Sequence, residues 1–498
     1  MARNSALYFS SLALPALAAV FLVPVTVREL GPSRFGLLAL AWAVAEGAGM
    51  FDFGLGRATV HFVADATARS SARLREIVAA SVFSQLAMGI IAATLLFFLA
   101  PLLVNNVFAI APDVIPEASA MFGVLALHLP VLFSAAALRA TLEGAQRFDL
   151  STALRIPGSM ASVVIPAAAA SAGASLATIM WLLLAVRLML VLISAAAVSR
   201  ALLEGRWALP SGFGVLREIL AYSGWVAVSA ALGPALGSID RFAVGALVGV
   251  TGLGFYTGAS EAANRFLLIP ATAFAALLPA LALTHARGAR DRSLEATRAA
   301  RRQLAALLLP LCLGLFAFAP GILRVWLGAD FASAAGPALR ILAVGVFFGG
   351  VAHLPMALLY GSGRPDLPAK IHLVEVWIHV PLTIALVKEW GITGAALAWT
   401  LRCGADWVLY EWVSRRSIGP YPSDGAERAL MIWLSWSALG LTAALAAAIW
   451  LDNRSSPGAL AVTMLALVVY AGVAWSRVLS NAERLAWRAM VFRKGARS

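Results

Sequence analysis

The chain has 498 residues, of which 61% are hydrophobic and only 13% charged, about half the charged share of a soluble protein. An unpaired charge in a bilayer core costs roughly 2.5–3.5 kcal/mol on insertion scales, so a sequence this poor in charge reads as written for lipid; a soluble enzyme and a disordered scaffold are excluded, and so is a transmembrane β-barrel, whose strands would alternate apolar and polar residues. Lys and Arg outnumber Asp and Glu by 38 to 25, an excess that here holds loops on the anionic cytoplasmic face and does not point to nucleic acid.

A membrane-spanning helix needs roughly 20 apolar residues. Taken in chain order, fourteen runs qualify: 5–27, 35–56, 78–100, 119–138, 156–172, 177–197, 220–248, 254–283, 304–323, 341–360, 371–388, 393–413, 429–451 and 459–477. The first is expected to remain as a span, because no small-residue cleavage site follows it. Only Gly173 to Leu176 separate the fifth and sixth, which predicts a tight helical hairpin. A glycine-rich turn separates the seventh from the eighth.

The basic residues orient these spans. With the N-terminus cytoplasmic, 28 of the 38 Lys and Arg fall on the cytoplasmic side, six fall opposite and four lie within spans. Both termini are therefore expected inside. The loops are too short for a further soluble domain, so the function must lie in the helices. Cys312 and Cys403 both sit in apolar runs, which argues against a disulfide framework and a thiolate metal site.

An internal repeat is present. Residues 142–150 read LEGAQRFDL and residues 359–367 read LYGSGRPDL, matching at five positions at an offset of 217. At 218, Gly31, Gly36, Gly173 and Trp181 match Gly249, Gly254, Gly391 and Trp399. The reading is an all-α polytopic membrane protein of about 14 helices: two six-span repeats in the same orientation, residues 1–219 and 220–428, and an added helix pair with a basic tail, 429–498. Parallel repeats of this kind are a transporter architecture, with the substrate path at the repeat interface.

Ionisable groups inside spans are functional candidates. The arginines are Arg187, Arg241, Arg265 and Arg402; the sixth and twelfth spans, equivalent in the repeat, each carry one. Glu261 with Arg265, and Arg402 with Asp406, are spaced i,i+4 and share a helical face, so each pair either neutralises itself or serves a ligand. Arg187 has no acid at that spacing and needs a partner on another helix, water or an anionic ligand. Asp240 and Arg241 are neighbours pointing about 100° apart. Glu46, placed in mid-span, is the candidate for proton or cation coupling, whereas Asp52 falls towards the headgroups. His128, His353 and His379 show no metal-ligand spacing and read as packed polar groups. Pro15 and Pro234 stand near the middle of the first helix of each repeat, where a proline loosens the helix. There is no P-loop or GxSxG motif.

Taken in order, LGPSRFGLLAL (30–40), DFGLGRA (52–58), LEGAQRFD (142–149), IDRFAVG (239–245), GLGFYTGA (252–259), LLPAL (277–281) and GITGAALAW (391–399) resemble the lipid-linked oligosaccharide flippases of bacterial polysaccharide export, relatives of the multidrug and toxin extruders. The resemblance implies two six-helix lobes in a V around a central cavity, in the bacterial cytoplasmic membrane. It implies alternating access, in which an undecaprenyl-diphosphate-linked glycan for O-antigen or exopolysaccharide is turned to the periplasmic leaflet. Its partners would be that glycan, membrane lipids, and the polymerase and export proteins of the pathway. No cofactor or metal is expected, but coupling to H+ or Na+ is. Carried to this chain, Arg187, Arg241, Arg265 and Arg402 grip the diphosphate, and Glu46, Asp240, Glu261, Pro15 and Pro234 serve coupling or gating. Lysines near the path are lacking. The alternatives are a cation-coupled multidrug exporter, which the arginines disfavour, and a membrane glycosyltransferase or polymerase on the same lipid carrier, which the short outer loops disfavour.

Overall fold

The computed structural model describes residues 2–49, 54–207 and 232–419 apart from 234, together with 468, 470 and 472. Every regular element among them is helical. In chain order these are α1 (Ala2–Ala48), α2 (Leu55–Arg69), α3 (Ser71–Leu102), α4 (Ile115–Gly144), α5 (Phe148–Ser171), α6 (Leu176–Leu202), α7 (235–247), α8 (Val250–Asn264), α9 (Leu268–Ala286), α10 (Arg290–Trp326), α11 (Ala329–Gly361) and α12 (Asp366–Ser417). Among the described residues, nine helices are long and apolar enough to cross a membrane. The chain is a multi-pass membrane protein. Asp52, Pro234 and most of the last two expected spans lie outside the described residues.

Nine helices accommodate more than nine expected spans because some are fused. The first two spans form α1, broken only at Gly31 (φ 71, ψ 169). The eleventh and twelfth form α12, broken only at Gly391 (φ 56, ψ −133). At a rise of about 1.5 Å per residue, its 52 residues are long enough to cross a roughly 30 Å core twice. A glycine tolerates these dihedrals without a Cβ clash. The prolines leave less trace: α1 stays helical through Pro15. The eighth span is interrupted by a 3-10 turn at Arg265–Leu267. Pro270 explains it, since its ring displaces the carbonyl of Phe266 four residues back.

Two expectations about loops are corrected. Residues 57–77, read as a cytoplasmic loop, contain α2 and the start of α3. Helix α2 buries Leu55, Ala58, Thr59, Val63 and Ala66 while Arg57, His61 and Asp65 are exposed, a one-faced pattern too short to have been counted as a span. Residues 139–155, also read as a loop, reduce to a turn at 145–147, which puts Arg139 on α4 and Arg155 on α5.

The helices cluster into two compact units, Met1–Gly258 with Pro365–Ala398, and Ala259–Arg364 with Trp399–Ser498. In the first, α3 and α6 pack on α4, and α1 packs on α5. Its core gathers Leu55, Val63, Ile77, Val78, Leu138, Leu142 and Val198. Glu117 ties three helices there: it accepts from Arg34 Nε at 2.8 Å and from the first amide of α6, Leu176 N, at 3.0 Å. In the second unit α11 packs on α9 and α10, around Leu281, Leu294, Ala357 and Leu358.

The repeated loop motif folds as the same turn in each unit. In the first, the amides of Ala145, Gln146 and Arg147 donate to the carbonyls of Thr141, Glu143 and Leu142 at 2.8–3.0 Å. In the second, Ser362, Gly363 and Arg364 donate to Leu358, Tyr360 and Leu359 at 2.9–3.1 Å. The left-handed position is Gln146 (φ 59) in one and Gly363 (φ 69) in the other.

Candidate functional site

Helix α1 ends at Ala48, two residues after Glu46. Arg241 lies inside α7. Nη1 of Arg241 donates to Glu46 Oε2 at 2.8 Å, with the arginine side chain 13% exposed and the glutamate 58%. The adjacent Asp240 is held differently. Its Oδ2 accepts a short hydrogen bond from the hydroxyl of Tyr256 and its Oδ1 one from the Arg241 amide at 2.9 Å. Tyr256 is fully buried and Asp240 nearly so. The neighbours thus point to different partners, as their 100° separation requires: Asp240 is locked into packing, and Arg241 is held by an accessible acid.

In the second unit both i,i+4 pairs form, Glu261–Arg265 at the junction of α8 with the 3-10 turn and Arg402–Asp406 within α12. Arg265 makes a short ion pair with Glu261, and Arg402 Nη1 donates to Asp406 Oδ2 at 3.3 Å. Pairing is the least costly way to keep charge in lipid. Three of the four arginines singled out in the sequence therefore face a carboxylate.

Arg187 does not. On α6, its Nη1 donates at 2.8 Å to Nδ1 of His128 on α4. His128 Nε2 lies 3.0 Å from the Met180 carbonyl, which fixes the neutral tautomer with the proton on Nε2. Arg187 also lines a cavity of about 250 Å³ between α4, α5 and α6, together with Arg139 and Arg155. Sequence reasoning missed those two because it placed them in a loop; the signal that could have found them is the onset of the next helix at Phe148, which carries Arg155 two turns inside. His353 and His379 are packed polar groups, bonded to Gly349 O at 2.7 Å and to the Thr383 hydroxyl at 3.4 Å.

The fold has relatives among solved structures. The inward-facing conformation of a multidrug resistance MATE family transporter of the MOP superfamily matches with a TM-score of 0.68 and 14% identity, over 81% of this chain and 94% of that one. The lipid II flippase MurJ in an inward closed conformation matches with a TM-score of 0.68 and 13% identity, over 98% and 100%. The chain thus has the fold of these polytopic transporters.

Sequence comparison narrows the class. The pattern of the family described as polysaccharide biosynthesis protein matches residues 25–336, and that of the lipid II flippase MurJ matches residues 266–471. A putative O-antigen transporter of Shigella flexneri is 25% identical over 420 residues, 84% of this chain and 99% of that protein. The chain belongs to the polysaccharide biosynthesis protein family.

Proposed function

We propose that the protein turns a polyprenyl-diphosphate-linked oligosaccharide from the cytoplasmic to the outer leaflet of the bacterial cytoplasmic membrane by alternating access. In this reading residues 1–219 and 220–428 are the two moving lobes, 429–498 is an addition and both termini are cytoplasmic. Family membership supports a lipid-linked glycan as cargo, and the one-sided distribution of basic residues supports the orientation. Polymerase and export proteins take up the product.

The observation that carries the mechanism is the Arg241–Glu46 pair. A guanidinium fork matches phosphate oxygens, and the exposed Glu46 is readily displaced from it. Once a diphosphate occupies Arg241, Glu46 loses its countercharge and gains affinity for a proton or Na+. Cargo binding and ion binding then favour each other through a shared partner. Asp240, clamped by Tyr256, keeps the backbone at Arg241 in place. The Glu261–Arg265 and Arg402–Asp406 pairs are poised for the same exchange.

The test is flipping of a fluorescent polyprenyl-diphosphate oligosaccharide in proteoliposomes. Arg241→Ala is expected to slow it about tenfold or more, the worth of one charge-assisted hydrogen bond. Glu46→Gln is expected to flip at a rate that no longer follows the imposed proton or Na+ gradient. Normal flipping by the first variant, together with an unchanged gradient response in the second, would defeat the exchange mechanism. Export of a cationic dye without any flipping would favour the multidrug reading instead.

A further inference from the structure

We infer that Phe108 and Ala109 form a latch, one that ties the first repeat to the opening turn of the second and releases when the transporter opens outwards. The latch presupposes the alternating-access reading and its orientation, which puts the loop from α3 to α4 on the outer side. Helix α3 does not end in an ordinary turn. Leu103–Val107 form a π-helical turn, closed by the Phe108 amide on the Leu103 carbonyl at 2.9 Å. Such turns are rare and recur at functional sites. This one delivers the chain into an extended Phe108 (φ −87, ψ 136).

The other half of the latch is the turn between α7 and α8, which belongs to the second repeat. Helix ends leave backbone groups in need of partners. The Gly249 amide turns back to Val244 O at 3.0 Å, which leaves the Gly245 carbonyl to another donor. Ala109 serves both helix ends. Its amide donates to Gly245 O at 3.1 Å, and its carbonyl accepts from Val250 N, the first amide of α8, at 3.3 Å. Glycine makes the room: Gly249 stands at φ 98, and a Cβ there would come within 2.8 Å of the Ala109 carbonyl oxygen. The buried Phe108 ring lies between two others and nearly parallel to both, 6.4 Å from Phe122 of α4 and 6.5 Å from Phe242 of α7.

This division suits a contact that breaks and re-forms. The Phe242 stack and the two Ala109 bonds cross between repeats, whereas the Phe122 stack stays within the first. When the turn departs, Phe108 keeps its seat on α4. Ala109 is already exposed, so its amide and carbonyl pass to water. Exchanging backbone bonds for bonds to water changes the net free energy little. The latch is therefore held by a small margin, as a two-state element requires.

The experiment measures the distance between spin labels on Asn106→Cys and Leu247→Cys, two exposed positions on opposite sides of the latch. It uses the full chain in lipid nanodiscs, with Cys312 and Cys403 replaced by alanine. Phe242→Ala removes the ring face that crosses between repeats. It is expected to raise the share of a second, longer distance about threefold or more, the worth of one aromatic pair. Val250→Pro deletes only the amide donated to Ala109, at a first helical position where proline is tolerated. It is expected to shift the populations the same way, which keeps the test valid if Phe242→Ala does not fold. An unchanged or merely broadened short distance in both variants would make the contact a fixed cap and overturn the latch. The labels report without any flipping. Two discrete distances with no flipping in proteoliposomes would sink the transport reading and leave a two-state contact; normal flipping with a single distance would sink the latch alone.

Discussion

The hydroxyls of Ser33 and Thr251 lie 2.7 Å apart although 218 positions separate them in the chain. The same offset relates Pro32 to Val250 and Gly36 to Gly254. A Cβ on Gly36 would strike the Val250 carbonyl, and one on Gly254 would strike the Pro32 carbonyl. Each residue thus touches its counterpart's neighbourhood reciprocally, as across a local two-fold axis. The second half of α1 and the start of α8 cross backbone to backbone, which only small residues allow. On the orientation proposed above, this crossing lies on the side away from the cytoplasm.

Replacing Ser33 and Thr251 together by cysteine should therefore give a disulfide under mild oxidation, because the β-substituents already touch. If the crossing parts during transport, the oxidised protein stops flipping and a reductant restores it. Gel mobility measures the bond and the proteoliposome assay its effect; full-rate flipping by the cross-linked protein would make the crossing a static joint.

Gly36→Ala should destabilise the protein by about 1–3 kcal/mol, the usual range for an overpacked contact. The atom in the way is a backbone carbonyl and cannot swing aside. Gly254→Ala should behave alike, and the double variant should lose less than the sum, since either methyl alone opens the crossing. Thermal unfolding in detergent reads all three.

Tyr256→Phe removes the hydroxyl that donates to the buried Asp240 carboxylate. A stability loss of about 1–3 kcal/mol is expected, the cost of a buried acceptor left unsatisfied, at its upper end because the group is charged. In an Asp240→Asn background the same change should cost clearly less. Equal losses in both backgrounds would show that the phenol acts only through packing.

Gln146 holds a left-handed conformation that its counterpart Gly363 adopts without strain. Gln146→Gly should raise stability by up to about 1 kcal/mol, the penalty of a Cβ there offset by the flexibility of glycine in the unfolded chain. Gly363→Ala should move the melting temperature the other way.

Much of this protein follows from residue order alone, because lipid judges residues locally. Each charge in a hydrocarbon core is costly by itself, so the apolar runs are legible without a fold. Helical pitch puts Glu261 beside Arg265 and Arg402 beside Asp406, and a shared offset marks Gly31 with Gly249 and Gly173 with Gly391, all four at positive φ. What stayed hidden depends on how helices cross. Glu46 meets Arg241 across 195 positions, Tyr256 reaches back sixteen to Asp240, and Arg139, Arg155 and Arg187 converge from three helices. A helix that is apolar on every side shows no periodic stripe to announce which face meets a neighbour; in lipid that choice is made by close packing and a few polar contacts, and only the assembled tertiary structure holds them.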